Sequence, residues 1–485
     1  MPSDTVLVIN EPYVKDFCRT QRWAARTRGR VLRAPDWLAY ATAVLEEAGI
    51  NAELYDFPAR DWDKDDLRRL VREKQPAAVV LDASTPSIYS DIECARIAKE
   101  ESDCKVVMVG PHVSTCYDEV LNDADGAVDA AALGEYEYTV LDFAKTALAG
   151  KSDWRGIPGL AWKNGKVVRN EDRPLVQDLD SMPFPAWHHL NLWDYFDGTK
   201  YYPYIDIIGG RGCPFKCSFC LWPQVMHGQH YRFRSPENIV EEIRWVLTEW
   251  PKAIAGEFFF EDDTFAVNRA RAHKICDAIS ESKLGCTWSV NTRADILDED
   301  LYKHMKSAGC RQILVGYESG DQNVLDKMQK GIKADLMKES TRKAKAAGLQ
   351  VHGCFVLGLP GETRNSMRTT LDYALDLNLD TVQFSGAVPY PGTRYFDHCE
   401  ENGLLRAKRW DDWLNDGEQQ PVVDYPGLTR SEVEEQVNTS LKRFYFRPAY
   451  MTKFILASRS KQDLYRKMRG AKNFLTYLFE RGKTA

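Results

Sequence analysis

Nowhere in the 485 residues does an apolar run approach the roughly 20 residues that a bilayer-spanning helix needs, so no transmembrane segment is expected. The first residues, MPSDTVLVINEPY, lack a basic stretch followed by a long apolar one, which argues against a secretory signal and for a cytoplasmic protein. No basic stripe is present: 64 Lys and Arg stand against 71 Asp and Glu, a net charge of −7, so a nucleic-acid partner is not expected. No G-x-G-x-x-G follows the first strand-like run, which disfavours a dinucleotide. A disulfide framework is missing too. Nine of the 12 cysteines are scattered singly, as buried small apolar residues are in a reducing compartment. Neither a solenoid-period repeat nor a low-complexity tract interrupts the chain.

What is present is a long alternation of strand-like and helical patterns. Up to about residue 150 the strand-like runs are TVLVIN at 5–10, AELYDF at 52–57, AAVVLDAS at 77–84, KVVMVGPH at 105–112 and AAALGEYE at 130–137. Amphipathic helical stretches separate them, which predicts an α/β, doubly wound, Rossmann-like parallel sheet that binds ligands beyond its strands' carboxyl ends. Residues 151–200 are punctuated by Pro158, Pro174, Pro183 and Pro185 and read as a connecting segment with a small hairpin at Asn164-Gly165. From 201 to 400 six further strand–helix units predict a partial (β/α)6 barrel whose active face is formed by the strands' C-terminal ends. Residues 401–485 are expected to be mostly helical. The tail mixes aromatic residues with Lys and Arg, a pattern read as a packed helix with a solvated basic face rather than a membrane-surface helix.

The clustered cysteines, Cys213, Cys217 and Cys220 in RGCPFKCSFC, lie on the loop after the first barrel strand as C-x3-C-x2-C. Three thiolates suit a [4Fe–4S] cluster with one iron open to a further ligand. A closed zinc site needs a fourth ligand; His227 and His230 follow within ten residues and keep that alternative open.

With this spacing, and Phe219 just before the last cysteine, the sequence resembles the radical S-adenosylmethionine (SAM) superfamily. The resemblance implies SAM chelated at the open iron and cleaved to a 5′-deoxyadenosyl radical, which removes hydrogen from inert carbon. It also implies SAM-binding roles at the strand ends. Glu261, Asp262 and Asp263 match the acidic run that takes the amino group. Ser289, Asn291 and Arg293 follow on the next strand, Arg293 facing the carboxylate. Glu318 and Ser319 match ribose or amino-acid contacts, and Gly358 the close approach of backbone to adenine.

The first 150 residues resemble the cobalamin-binding domain fused to many such enzymes. The matching segments are Ser84, Thr85, Pro86 and Ser87; Gly110, Pro111, His112, Val113 and Ser114; and Gly134 with Glu135. The D-x-H-x-x-G pattern of proteins that supply a histidine to cobalt is absent, so no His ligand is expected from that loop. RGCPFKCSFCLWPQ with HGQHYRFRSPENIVEEI is similar to a subgroup that holds hopanoid-associated members and protein C-methyltransferases. The implied activity is cobalamin-dependent C-methylation of an unactivated carbon, for instance a glutamine of methyl-coenzyme M reductase, with a protein or small-molecule substrate. A reductant such as ferredoxin or flavodoxin is also implied. The alternatives are a ring-forming or ring-contracting enzyme acting on lipid-linked sugars, and a non-enzymatic cobalamin and iron–sulfur sensor. Tyr13, Trp23, Trp37 and Trp222 are read as packing residues that could line a cavity between the domains.

Overall fold

The computed structural model describes residues 3–20, 23–456 and 461–481. Five parallel strands, β1 (Thr5–Asn10), β2 (Asn51–Asp56), β3 (Ala78–Asp82), β4 (Lys105–Val109) and β5 (Ala130–Ala132), lie in the order β2-β1-β3-β4-β5. β3 reads AVVLD and is buried throughout, as a central strand covered on both faces requires. In β1 the side chains alternate: Leu7 and Ile9 join one apolar cluster, Val6 and Val8 another. The first cluster includes Leu67, Leu70 and Val71 of α2 (Lys64–Lys74) and Ile92 and Ala95 of α3 (Ile88–Glu101). The second takes in α1 (Asp36–Glu47) and α5 (Glu137–Leu148) and runs on into the second half of the chain without a break. The two halves therefore share one core.

Local signals set the helix starts. α2 opens on a reciprocal box in which Asp63 and Asp66 each accept the other's backbone N–H. α4 (Pro111–Asp123) begins directly after Gly110, whose φ of 103° brings the chain off β4. The segment Pro111–Ser114, read from sequence as a loop, is thus the first turn of a helix. A side chain at Gly110 would also put its Cβ 2.7 Å from the Ala83 carbonyl oxygen.

The hairpin expected at Asn164-Gly165 forms as β6 (Leu160–Asn164) and β7 (Lys166–Arg169). It is not an isolated connector: β6 pairs antiparallel with β5 and extends the first sheet to seven strands. β5 is only three residues long, and this pairing satisfies the edge it would otherwise expose.

The second sheet holds β8 (Tyr204–Ile207), β9 (Glu257–Phe260), β10 (Trp288–Thr292), β11 (Cys310–Glu318), β12 (Gln350–Leu357) and β13 (Thr381–Gly386), parallel and in chain order. β8 and β13 do not pair, so the barrel is open on one side. Residues 402–429 are not helical as the sequence suggested. Pro421, Pro426, Gly417 and Gly427 break them into a short 3-10 turn, Trp410–Trp413, and a two-stranded hairpin. Three helices follow: α6 (Arg430–Tyr445), α7 (Pro448–Leu456) and α8 (Lys461–Arg481). They cover the barrel's open side. Tyr445 Oη donates to the Val382 carbonyl at 2.6 Å, and Tyr450 Oη to that of Asp380 at 3.1 Å. Residues 23–33 lie against the same helices. There Arg28 pairs with Glu434 at 3.0 Å, and Asn473 Nδ2 donates to the Gly29 carbonyl at 3.1 Å.

Candidate active site

The barrel holds a cavity of about 750 Å3, mostly apolar, reaching from the cysteine loop to the C-terminal helices. Cys213, Cys217 and Cys220 all line it, together with Phe215 and Phe219. Burial pushes the Cys213 thiol up, and the nearby Asp263 carboxylate adds to this. A thiolate there calls for a compensating cation. One zinc ion holds its thiolates about 3.8 Å apart, as 2.3 Å bonds in a tetrahedron dictate. Among the described residues, the trio of His, Cys, Asp or Glu donors that all fall within 4.8 Å of one another is Glu46, His188 and His189, remote from this loop. Cys213, Cys217 and Cys220 do not form such a tight trio. Of the two histidines that kept zinc open, His227 instead places Nδ1 3.1 Å from Asp263 Oδ2, and His230 is exposed.

The structure divides the sequence-predicted SAM residues into two groups. Phe219, Glu261, Asp263, Asn291, Arg293 and Glu318 face the cavity. Asp262, Ser289, Ser319 and Gly358 do not line it. Asp262 is buried and accepts the Gly209 N–H at 2.6 Å, holding the turn after β8. Ser319 is buried and bonds Thr370 Oγ1 at 3.0 Å. Ser289 is buried within β10. Gly358, with φ 86°, packs on α6: a Cβ would meet Val433 at 3.0 Å.

Within the cavity the charges are ordered. Glu261 pairs with Arg33 at 2.8 Å and accepts from Asn291 Nδ2 at 2.8 Å. Asp263 accepts the Gly212 N–H at 3.0 Å. Arg293 is held by Asp295 through two bonds of 2.9 and 2.8 Å and lies 3.7 Å above the Phe215 ring, with its remaining nitrogen 4.0 Å from Cys217 Sγ. Glu318 is paired with Lys330 at 3.1 Å. One end of the cavity thus offers carboxylates beside a fixed guanidinium, a set that fits a zwitterionic amino acid. Arg33 and Lys330 were missed from sequence. Neither sits at a strand end, so strand-end reasoning could not find them.

A further buried carboxyl lies beneath this set. Asp206 on β8 is 2% exposed, and neither carboxylate oxygen has a hydrogen-bond partner among the described residues. Burial raises its pKa to about 7, with Arg33 opposing and Glu261 adding to the rise. The unfolded carboxyl ionises near its ordinary 3.8, so this group's contribution to stability falls as pH climbs from about 4 to about 7 and stays low above that. Asp206→Asn should remove that slope. Urea unfolding at pH 8 should show the variant more stable than the natural protein by up to roughly 2–4 kcal/mol, with the gap closing near pH 4.

The predicted cobalamin segments gather at the carboxyl edge of the first sheet. Ser84 and Ser87 bond each other at 2.5 Å, and Ser87 Oγ donates to Asp91 at 2.7 Å, so both hydroxyls are used within the fold. Thr85 Oγ1 lies 3.1 Å from His112 Nδ1. His112 is buried, edge-on to Trp410 at 5.2 Å, and its Nε2 has no partner among the described residues. Pro86 is buried in the same turn, and its carbonyl accepts from Tyr13 Oη at 3.3 Å; Val113 is buried in the first turn of α4. Gly134 donates its N–H to Ser114 Oγ at 3.0 Å, and Ser114 in turn meets Met226 Sδ at 3.6 Å. Met226 lies just beyond the cysteine motif, so the two carboxyl edges face each other. Glu135 is engaged otherwise: Arg232 grips both of its oxygens, one at 2.9 Å, and Arg211 lies 3.8 Å away. An orphaned imidazole nitrogen at a sheet edge turned toward the cysteine loop fits a bound group there. Of the four aromatics read as packing residues, Trp23 lines the cavity. Trp37 and Trp222 pack on each other and on His227, and Tyr13 packs on Phe17.

Residues 207–374 match the radical SAM superfamily, and residues 34–144 the B12 binding domain. An uncharacterized methyltransferase of Pyrococcus horikoshii is 31% identical over 424 residues, 87% of this chain and 90% of that protein. The chain belongs to the cobalamin-dependent radical SAM methyltransferase family. Its cofactors are a [4Fe–4S] cluster, SAM and cobalamin. An anaerobic magnesium-protoporphyrin IX monomethyl ester cyclase of Rubrivivax gelatinosus is 28% identical over 86% of this chain and 74% of its own length. The radical SAM methyltransferase TsrM of Kitasatospora setae, solved with cobalamin and a [4Fe–4S] cluster, superposes with a TM-score of 0.72 at 17% identity. That match covers 99% of this chain and 100% of that one, and it bears on the fold. Among the described residues, no helix is long and apolar enough to cross a membrane.

Proposed function

We propose that this chain transfers a methyl group to an unactivated carbon of a substrate held in the barrel cavity. The observation that carries the reading is the convergence of three thiols, two carboxylates and a clamped guanidinium on one largely apolar chamber. Bound there and at the facing sheet edge, the cluster, SAM and cobalamin would supply a carbon-centred radical and a transferable methyl group. The chain supplies the geometry. In this reading Glu261 and Asp263 would take a cationic amino group and Arg293 a carboxylate; in support of it, Asn291 bonds Glu261 and Asp295 bonds Arg293. Phe215, Phe219 and Trp23 give that end of the chamber an apolar wall beside the three thiols.

The apolar lining of the chamber favours a small or amphiphilic molecule. Mass spectrometry of anaerobic turnover mixtures tests the reaction class. Methyl transfer should yield 5′-deoxyadenosine, S-adenosylhomocysteine and a product heavier by about 14 Da, one CH2. 5′-Deoxyadenosine without S-adenosylhomocysteine would instead support ring formation or contraction.

A further inference from the structure

Six of the nine exposed large apolar side chains among the described residues sit in one stretch near the C-terminus: Phe446, Met451, Leu464, Tyr465, Met468 and Leu475. Three of them, Phe446, Met451 and Leu475, also line the cavity, so they form its rim. On α8 the spacing 464, 468, 471, 475 stacks Leu464, Met468, Ala471 and Leu475 on one helix face. Met468, at the middle of that stripe, is 63% exposed. Charge around the stripe runs against the rest of the chain. Between residues 442 and 483 the sequence has twelve Lys and Arg against two acidic residues, although the whole chain carries −7. Lys442, Arg443 and Lys472 are exposed.

A solvated helix has no use for an outward apolar stripe, and a packed one would bury it. An exposed apolar face beside clustered cations is the pattern of a helix lying in a lipid interface, with the cations meeting anionic headgroups. We propose that α6–α8 dock this chain on an anionic lipid bilayer and that the cavity draws an amphiphilic substrate through the rim at Phe446, Met451 and Leu475. α8 is packed on its inner side, with Tyr477 buried and Phe474 against Tyr445, as the sequence reading had it; the proposal concerns its outward face. The substrate half of the proposal rests on the cavity being the reaction chamber; the docking half does not.

Co-sedimentation of the full chain with vesicles tests docking without turnover. Vesicles of phosphatidylcholine with phosphatidylglycerol should carry the protein down, phosphatidylcholine alone much less, and added salt should release it. Leu464→Asp with Met468→Asp should lower partitioning at least about tenfold. Neither residue lines the cavity, so cluster iron and thermal unfolding should stay as in the natural protein. Lys472→Glu should weaken binding to anionic vesicles specifically. The proposal fails if the natural protein stays in the supernatant with anionic vesicles, or if the double variant binds them equally well. It also fails if that variant breaks a dimer, seen by size-exclusion chromatography, while leaving lipid binding intact. If docking holds but no lipid-extractable molecule gains about 14 Da, the substrate half alone is lost.

Discussion

Replacing Cys213, Cys217 and Cys220 together by alanine should leave anaerobically reconstituted protein with almost no iron or sulfide, where the natural chain binds roughly four of each. SAM cleavage should fall below detection. Each single variant should act in the same direction, since two thiolates do not hold a cubane against exchange. Because all three thiols line a cavity, Cys217 and Cys220 only partly buried, circular dichroism and thermal unfolding of the metal-free variants should match those of the metal-free natural protein. That control separates loss of the ligand set from loss of the fold. Retention of the broad iron–sulfur absorbance in the triple variant would remove the foundation of every role assigned to the barrel.

The cysteine motif was legible because its information is local: three like side chains within eight residues, on a loop set by the strand before it. The strands were legible for a similar reason. AVVLD and EFFF are short apolar runs bounded by turn residues, and they fold as β3 and β9 where the pattern put them. The site's polar residues were legible only in part. Reading a strand end gives residue types, but it does not say whether a side chain faces the lumen or the helices. Asp262 and Asp263 are neighbours in sequence, yet Asp263 lines the cavity while Asp262 turns back to bind Gly209. Both lie beyond the end of β9 at Phe260, where the loop's own path, not the strand's alternation, decides which side chain enters the cavity.

Long-range pairings were not legible. Arg33 reaches Glu261 across more than two hundred residues, and nothing local to either marks the partner. The helical reading of residues 402–429 failed for a different reason. Trp410 is used there against the ring of His112 and Trp413 against the Pro389 carbonyl, and two prolines and two glycines keep the segment from continuing as a helix.

Glu135 puts that distinction to an experiment. Its resemblance-based role is cobalamin binding, but its geometry is that of a bridge between the two halves, gripped by Arg232 and approached by Arg211. Burial opposes its ionisation, yet the two guanidinium groups hold the carboxyl below its usual range. The stability it contributes should therefore be present above pH about 4.5 and be lost as pH falls below that. Glu135→Ala leaves Arg232 buried against uncompensated charge and should cost about 3–5 kcal/mol in chemical unfolding at pH 7. Adding Arg232→Met removes the stranded cation and should restore much of that loss. Cobalamin titration of the double variant, at a temperature where it is folded, then separates the roles. Affinity close to that of the natural chain marks Glu135 as the strut that keeps the first sheet's edge facing the cysteine loop. A large loss in the rescued variant marks it as a contact to the corrin itself.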